Sequence, residues 1–205
     1  MKKAPFPLKK AAGIVRLGIY GGSFDPIHSA HLQVAEAACN SLKLDQLFFV
    51  PAARSPFKEG QFTAPPALRL KWVQLALEGH PEWKIDSSEL ERGGISYTIE
   101  TVRKYRKRFP EDELYYLIGM DNAPSLPLWK DAQELARLVE FAVVSRPGES
   151  FLPLPEAFHM HLIDTVFSET SSRGIRERIA TGQSVEGLMP PVVREAVLAS
   201  GCYRR

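Results

Sequence analysis

The chain has 205 residues, 44% of them hydrophobic and 24% charged, with a formal net charge of +2. This size predicts one globular domain with a sizeable core, and no uncharged apolar run approaches the roughly 20 residues of a membrane-spanning helix. Cys39 and Cys202 lie far apart and outside any CxxC pair, which argues against a thiolate zinc site and favours a reducing compartment.

The basic residues are concentrated at the beginning of the chain. Five of the 26 lysines and arginines fall in residues 1–16, which contain no acid, so the remainder carries 21 basic and 24 acidic residues. This balance does not indicate a broad nucleic-acid-binding face. We predict a flexible basic extension over residues 1–15 and a single domain over residues 16–205, in a cytoplasmic protein with no membrane or nucleic-acid partner. The sequence is compatible with a homo-oligomer but does not define the oligomeric state.

Apolar runs alternate with helical patterns along the chain. Strands are predicted over residues 16–22, 45–51, 83–90, 113–121, 140–148 and 161–166. Helices are predicted over residues 31–44, 67–79, 96–110, 131–139, 171–182 and 190–201, the third of them with a Ser/Thr N-cap. This order predicts an α/β fold with a doubly wound, Rossmann-like parallel sheet and helices on both faces. Ligands of such sheets bind beyond the carboxyl ends of the strands.

The segment GGSFDPIHSAH follows the first predicted strand. Gly21 and Gly22 lack a Cβ, so the backbone can approach a ligand there. His28 and His31 share one face at a helix start, where free N–H groups and the helix dipole favour phosphate. The segment is neither the G-x-G-x-x-G fingerprint nor a P-loop. We therefore predict a phosphate-binding turn.

Two other interpretations of the histidine pair remain open at this point. One histidine could cap the helix while the other packs in the core. The pair could also bind a metal ion, for which Asp25 or Asp121 would be the third ligand.

Later segments add further candidates for nucleotide binding. Ser171 and Ser172 begin a predicted helix and can offer donors to a phosphate chain, and Arg176 supplies a planar cation one turn later. Gly119 and Asp121 end a buried strand, where a carboxylate can accept hydrogen bonds from ribose hydroxyls. The alternatives are an ordinary helix cap with a solvated basic face, and a turn glycine with a capping aspartate.

The segment GGSFDPIHSAHL resembles the signature of the nucleotidylyltransferase superfamily, GGTFDPxHxGH. Within it, the chain is similar to the bacterial nicotinate-nucleotide adenylyltransferases from about Leu17 to Tyr203. The segments GGISYTIETV, YLIGMDNAPSLPLW and SSRGIRERI carry the rest of the likeness. The resemblance implies a nucleotidylyltransferase-type fold that transfers the adenylyl group of ATP to nicotinate mononucleotide in NAD biosynthesis.

The resemblance also implies site residues. Those for ATP are Gly21, Gly22, Ser23, Phe24, His28, His31, Gly119, Asp121, Ser171, Ser172 and Arg176. Those for the acceptor are Tyr97, Thr98, Trp129 and Arg146, with Thr98 at the nicotinate carboxylate and Trp129 near the ring. The catalytic set is His28, His31, Lys58 and Arg176. Mg²⁺ is expected to bind mainly through the ATP phosphates, without protein ligands of its own.

Three positions depart from the family pattern. Ala30 replaces a glycine, Phe57 replaces the histidine of a PPHK loop, and Arg173 replaces a threonine. The alternatives to nicotinate mononucleotide are therefore another phosphorylated acceptor, such as pantetheine phosphate or nicotinamide mononucleotide, or a catalytically weakened nucleotide-binding regulatory protein.

Overall fold

A computed structural model describes residues 13–56, 63–145, 156–165 and 170–204. Within these ranges the chain forms six strands and seven α-helices. The strands are β1 (Arg16–Gly22), β2 (Gln46–Pro51), β3 (Trp83–Ile85), β4 (Glu113–Gly119), β5 (Glu140–Ser145) and β6 (Met160–Asp164). The helices are α1 (Ser29–Leu42), α2 (Pro66–Ala76), α3 (Ser88–Arg92), α4 (Thr98–Arg108), α5 (Ala132–Leu138), α6 (Ser172–Ala180) and α7 (Pro191–Ser200), with a 3₁₀ helix over Met120–Leu128.

The six strands form one parallel sheet in the order β3-β2-β1-β4-β5-β6. Strand β1 lies at the centre, because the chain first adds strands on one side of it and then crosses to the other side with β4. This crossing is the switch point at which α/β sheets bind ligands. The predicted doubly wound sheet is therefore confirmed.

Apolar side chains alternate between the two faces of the sheet. Leu17 and Ile19 pack with α4, α5 and the 3₁₀ helix, whereas Leu47 and Phe49 pack with α1, α2, α6 and α7. Both layers are closed to solvent, since these four residues are fully buried. The helices cover both faces, as parallel strands with apolar side chains on both faces require.

Most predicted elements differ from the structure by a few residues at one or both ends. The strand predicted over residues 83–90 ends at Ile85, because the carboxylate of Asp86 accepts a hydrogen bond from the Ser88 N–H at 3.0 Å and turns the chain into α3. Helix α2 ends at Ala76, three residues before Gly79. The predicted Ser/Thr cap of α4 is wrong, since its N-cap is Tyr97.

No helix within the described ranges is both long and apolar enough to cross a lipid bilayer.

Candidate functional site

A cavity of about 630 Å³ opens beyond the carboxyl ends of β1 and β4. Its wall also contains the first residues of α1, α4 and α6. The predicted site residues that line it are Gly21, Gly22, Ser23, Phe24, His28, His31, Tyr97, Thr98, Gly119, Asp121, Trp129, Ser171, Ser172 and Arg176. Lys58, Phe57 and Arg146 lie outside the described residues. Candidates separated by up to 155 positions in the sequence thus share one cavity.

His28 and His31 lie together at the start of α1. His28 is the N-cap residue, and its backbone N–H donates to Nδ1 of His31 at 3.2 Å. The two ring centroids are 3.8 Å apart. Because Nδ1 of His31 accepts this bond, the neutral ring carries its proton on Nε2, where it can act as a donor.

The His28 ring is only 5% exposed. Burial disfavours its charged form and lowers its pKa to about 4, so the ring is neutral near pH 7. Its Nδ1 has no hydrogen-bond partner among the described residues. A buried polar atom without a partner is destabilising, and one in a cavity wall is a natural contact for a ligand or water.

Asp25, three residues before His28, is 2% exposed. Its Oδ1 accepts hydrogen bonds from the Ala64 N–H, at 3.0 Å, and from the Tyr203 hydroxyl. Its Oδ2 lies 3.7 Å from Nη1 of Arg176. These partners occupy the carboxylate and argue against the metal interpretation of the motif. No group of three metal-ligating side chains converges in the described part of the chain.

Helix α6 is fastened to the turn that carries Asp25. Ser171 caps the helix, with its hydroxyl accepting from the Gly174 N–H at 3.1 Å. The Ser172 hydroxyl donates to the Pro26 carbonyl at 3.0 Å. The Arg176 guanidinium donates to the Asp25 carbonyl at 2.8 Å. The N-terminus of α6 therefore faces the same cavity as the histidine pair.

Two glycines of the wall also leave room for neighbouring side chains of the protein. A Cβ on Gly21 would lie 2.2 Å from the Tyr116 hydroxyl. A Cβ on Gly119 would lie 2.5 Å from Oδ1 of Asp121. The space is thus taken by side chains of the protein. Ala30, which replaces the family's glycine, is 3% exposed and lines the cavity.

Another part of the cavity wall is built around Tyr116. Its hydroxyl accepts a hydrogen bond from Oγ1 of Thr98 at 3.3 Å, and burial raises its pKa. Its ring meets that of Trp129 edge to face, with centroids 6.4 Å apart. The Trp129 indole N–H donates to the Ser125 hydroxyl at 3.1 Å. These contacts fix a flat aromatic wall close to the start of α4.

Two buried charged residues beside this site are absent from the sequence prediction. Glu89 lines the cavity, is 4% exposed and accepts a hydrogen bond from the Thr101 hydroxyl; burial raises its pKa. Arg69 is 1% exposed. The signal for Arg69 is its spacing, because it shares the buried face of α2 with Trp72, Val73 and Ala76. A charge at an apolar position of a helix indicates a buried polar contact.

The chain has relatives among known proteins. The cytidylyltransferase-like family matches residues 19–178. A protein of Exiguobacterium sibiricum named "Probable nicotinate-nucleotide adenylyltransferase" is 37% identical over 183 residues, which cover 89% of this chain and 96% of the relative. A protein of Opitutus terrae with the same name is 38% identical over 179 residues, or 86% of this chain and 91% of the relative.

The chain belongs to the nicotinate-nucleotide adenylyltransferase family. It is therefore an enzyme of the nucleotidyltransferase class, which confirms the resemblance found in its motifs.

Solved structures share the fold at low identity. The nicotinic acid mononucleotide adenylyltransferase of Plasmodium falciparum, complexed with NaAD, superposes with a TM-score of 0.75 at 18% identity over 92% of this chain and 97% of that one. A nicotinate-nucleotide adenylyltransferase structure from Vibrio parahaemolyticus gives a TM-score of 0.69 at 18% identity over 94% and 97%. These likenesses support the nucleotidylyltransferase type of the predicted sheet.

Proposed function

We propose that the enzyme transfers the adenylyl group of ATP to nicotinate mononucleotide, giving deamido-NAD and pyrophosphate. The observation that carries this proposal is the shared cavity at the switch point. The histidine pair and the start of α6 line it together with Thr98 and Trp129. The first group suits a triphosphate and the second suits a flat ring with a small carboxylate, so we place the two substrates at two ends of the cavity.

The triphosphate lies between α1 and α6. His31 directs its Nε2 proton at the α-phosphate, and neutral His28 contacts the chain beside it. Arg176 and the N-terminus of α6 receive the β- and γ-phosphates, where a cation and free N–H groups favour anions. The backbone of residues 21–24 completes this end.

The remaining ATP contacts lie at the end of β4 and at the start of α6. The adenosine lies against Gly119, with Asp121 at the ribose hydroxyls. Ser171 and Ser172 lie beside the phosphate chain. Lys58 stays a predicted fourth catalytic cation, outside the described residues.

The acceptor lies at the other end. Its carboxylate faces the start of α4 at Tyr97 and Thr98, where backbone N–H groups are available, and its ring lies against Trp129. Arg146, outside the described residues, stays a prediction for this end.

The transfer requires no nucleophile from the protein. An oxygen of the acceptor's 5′-phosphate attacks the α-phosphorus of ATP, and the bond from that phosphorus to the oxygen leading to the β-phosphate breaks in line. Pyrophosphate carries away the electron pair. The enzyme contributes orientation and donors that stabilise the negative charge spreading over the phosphate oxygens.

The divalent metal enters as part of the substrate. The described side chains at the phosphate end include imidazoles, hydroxyls and two guanidinium groups. The Asp25 carboxylate accepts hydrogen bonds from Tyr203 and Ala64. Such a lining suits Mg²⁺ held mainly by ATP phosphates and water, as its octahedral preference favours. The metal supplies charge neutralisation of the phosphates.

The deciding experiment measures pyrophosphate release from ATP and Mg²⁺ with nicotinate mononucleotide, nicotinamide mononucleotide, phosphopantetheine or no acceptor. We expect release with nicotinate mononucleotide, together with a dinucleotide product identified by mass. Preference for another acceptor would assign a different specificity. No release with any acceptor would favour the nucleotide-binding regulatory protein.

We also place the reaction in the cytoplasm, in keeping with the two free cysteines.

A further inference from the structure

We propose that Arg69 is a positioning residue for this reaction, holding the loop after β1 and the segment after β2 in the form that receives both substrates. The inference rests on the proposed function of the cavity. Arg69 itself lies behind the wall, in α2, and is not among the residues that line the cavity.

The Arg69 guanidinium binds the backbone of three chain segments. Its Nη1 donates to the carbonyls of Ser23, at 2.7 Å, and Ala52, at 2.8 Å. Its Nη2 donates to the Ala53 carbonyl at 3.3 Å, and its Nε to the Ala64 carbonyl at 3.1 Å. Ser23 and Ala52 both line the cavity. One buried cation thus joins two stretches of cavity wall.

These bonds fix the direction of peptide groups. In a planar trans peptide the N–H points opposite to the C=O, so a Ser23 carbonyl held by Arg69 turns the Phe24 N–H away from α2. The peptide between Ala52 and Ala53 is held from both sides, because the Ala53 N–H donates to the Ser96 hydroxyl at 3.0 Å. Charge-assisted bonds make such an anchor strong.

The segment after β2 is also hydrogen-bonded to the residue that precedes the proposed acceptor contacts. The Ser96 N–H donates to the Arg54 carbonyl at 2.8 Å. Ser96 directly precedes Tyr97 and Thr98, which we place at the acceptor carboxylate. A shift of residues 52–54 would therefore reach both the triphosphate end and the acceptor end.

Arg106 provides a matched control. It also donates to several backbone carbonyls. It lies on α4, near the beginning of β4 and away from the strand end that borders the cavity, and it is not among the residues that line the cavity. Its acceptors are the carbonyls of Leu138 at 2.9 and 3.3 Å, Phe109 at 3.2 Å, Pro110 at 3.2 Å and Asp112 at 2.8 Å. Arg106→Gln removes a similar set of bonds without touching the substrate loops.

The test compares Arg69→Gln, Arg69→Lys and Arg106→Gln at a temperature well below the unfolding of each variant. Steady-state kinetics give kcat and both KM values, and calorimetry measures equilibrium binding of a non-hydrolysable ATP analogue. We expect Arg69→Gln to lower kcat/KM by about 10- to 100-fold, since small misplacements of reacting groups have effects of that size. It should weaken analogue binding and raise KM for the acceptor. Arg69→Lys should recover part of the loss in each of these quantities. Arg106→Gln should stay within about threefold of wild type in kcat/KM, analogue affinity and KM for the acceptor.

The proposal is overturned if a folded Arg69→Gln binds the analogue and turns over as wild type does, or if Arg106→Gln shows the same losses. If Arg69→Gln does not fold, Arg69→Lys decides, because unchanged binding and kcat/KM in that variant would contradict the dependence on the four guanidinium bonds. A wild-type enzyme that releases no pyrophosphate would refute the proposed function instead, and analogue binding would still test Arg69.

Discussion

The His31 ring lies against the His28 ring, with the centroids 3.8 Å apart and the planes inclined by 33°, while its Nδ1 accepts the His28 backbone N–H. The Phe24 ring packs against the same imidazole, at 5.2 Å between centroids. The orientation and the tautomer of His31 are thus fixed before any substrate binds, which is the condition for a donor to stabilise developing charge efficiently.

His31→Ala is the first test of this arrangement. Turnover should fall by about 100-fold or more, because a preorganised donor at the α-phosphate is lost. The measurement is kcat for pyrophosphate release under saturating substrates. His80→Ala, which changes a histidine stacked on Trp83 elsewhere on the surface, is the control and should remain active. Near-normal turnover of His31→Ala would refute its assignment.

The burial of His28 predicts a pH dependence of stability. Its pKa is about 4 in the folded protein, against a value of 6.5 without burial. Between these values the unfolded chain binds more protons, so the free energy of unfolding decreases as pH falls through this window. The loss from this group should be about 2 kcal/mol between about pH 7.5 and about pH 5.

Urea unfolding of the wild type and His28→Asn at these two pH values measures the effect. The variant lacks the titrating ring, so its free energy of unfolding should change less with pH. His80→Asn, which replaces a half-exposed histidine, should keep the wild-type dependence. Identical pH dependence in His28→Asn and the wild type would contradict the role of burial.

Gly21→Ala should destabilise the sheet by about 1–3 kcal/mol, because the added methyl group meets the Tyr116 hydroxyl. A double-mutant cycle with Tyr116→Phe tests the cause. Removing the hydroxyl should be less damaging, or even favourable, in the Gly21→Ala background. Gly174→Ala, in α6, is the comparison, since its nearest atom is the Ser171 hydroxyl at 3.3 Å. Strict additivity of the two changes in unfolding free energy would show that the added methyl group does not contact the Tyr116 hydroxyl.

Arg176 and Arg178 form a matched pair on α6. Arg176 contacts the Asp25 carbonyl and lines the cavity, whereas Arg178 donates to the Ser184 carbonyl at 3.3 Å on the exposed side. Arg176→Gln should weaken ATP binding by about tenfold or more through loss of a phosphate contact. Arg178→Gln should leave it unchanged. Equal ATP affinities of the two variants, measured by calorimetry, would contradict the placement of Arg176 at the ATP site.

Trp129→Leu separates the two ends of the cavity. Loss of the aromatic wall should raise KM for nicotinate mononucleotide about three- to tenfold, the size of an aromatic contact. KM for ATP should change little, because the triphosphate lies at the other end. Steady-state kinetics with each substrate varied in turn give both values. An increase confined to the KM for ATP would reverse the assignment of the two ends of the cavity.

Local patterns were sufficient for the strands, most helices and much of the cavity lining. The double glycine and the His28–His31 spacing mark a strand-to-helix junction, and Ser171 is a cap defined by its neighbours. These features depend on residues within one turn of each other. Family resemblance then placed Thr98 and Trp129 in the same cavity, where the structure brings them together.

Other features depend on contacts that no local pattern contains. The partners of Arg69 at Ser23 and Ala52 are 46 and 17 positions away. Pro124 and Pro127 lie inside the 3₁₀ helix, in a segment whose composition favours a loop. The helix α3 follows from the Asp86 carboxylate, which ends β3. Such arrangements become visible only once the chain has folded.

The turn at Asp25–Pro26 has consequences for the order of folding. It is held by Ser172, Arg176 and Tyr203 across sequence separations of 146, 151 and 178 residues. Contacts that close such long loops form late, after local helices and neighbouring strands. We therefore expect ATP affinity to arise only late in folding, when α6 and Tyr203 close over the turn.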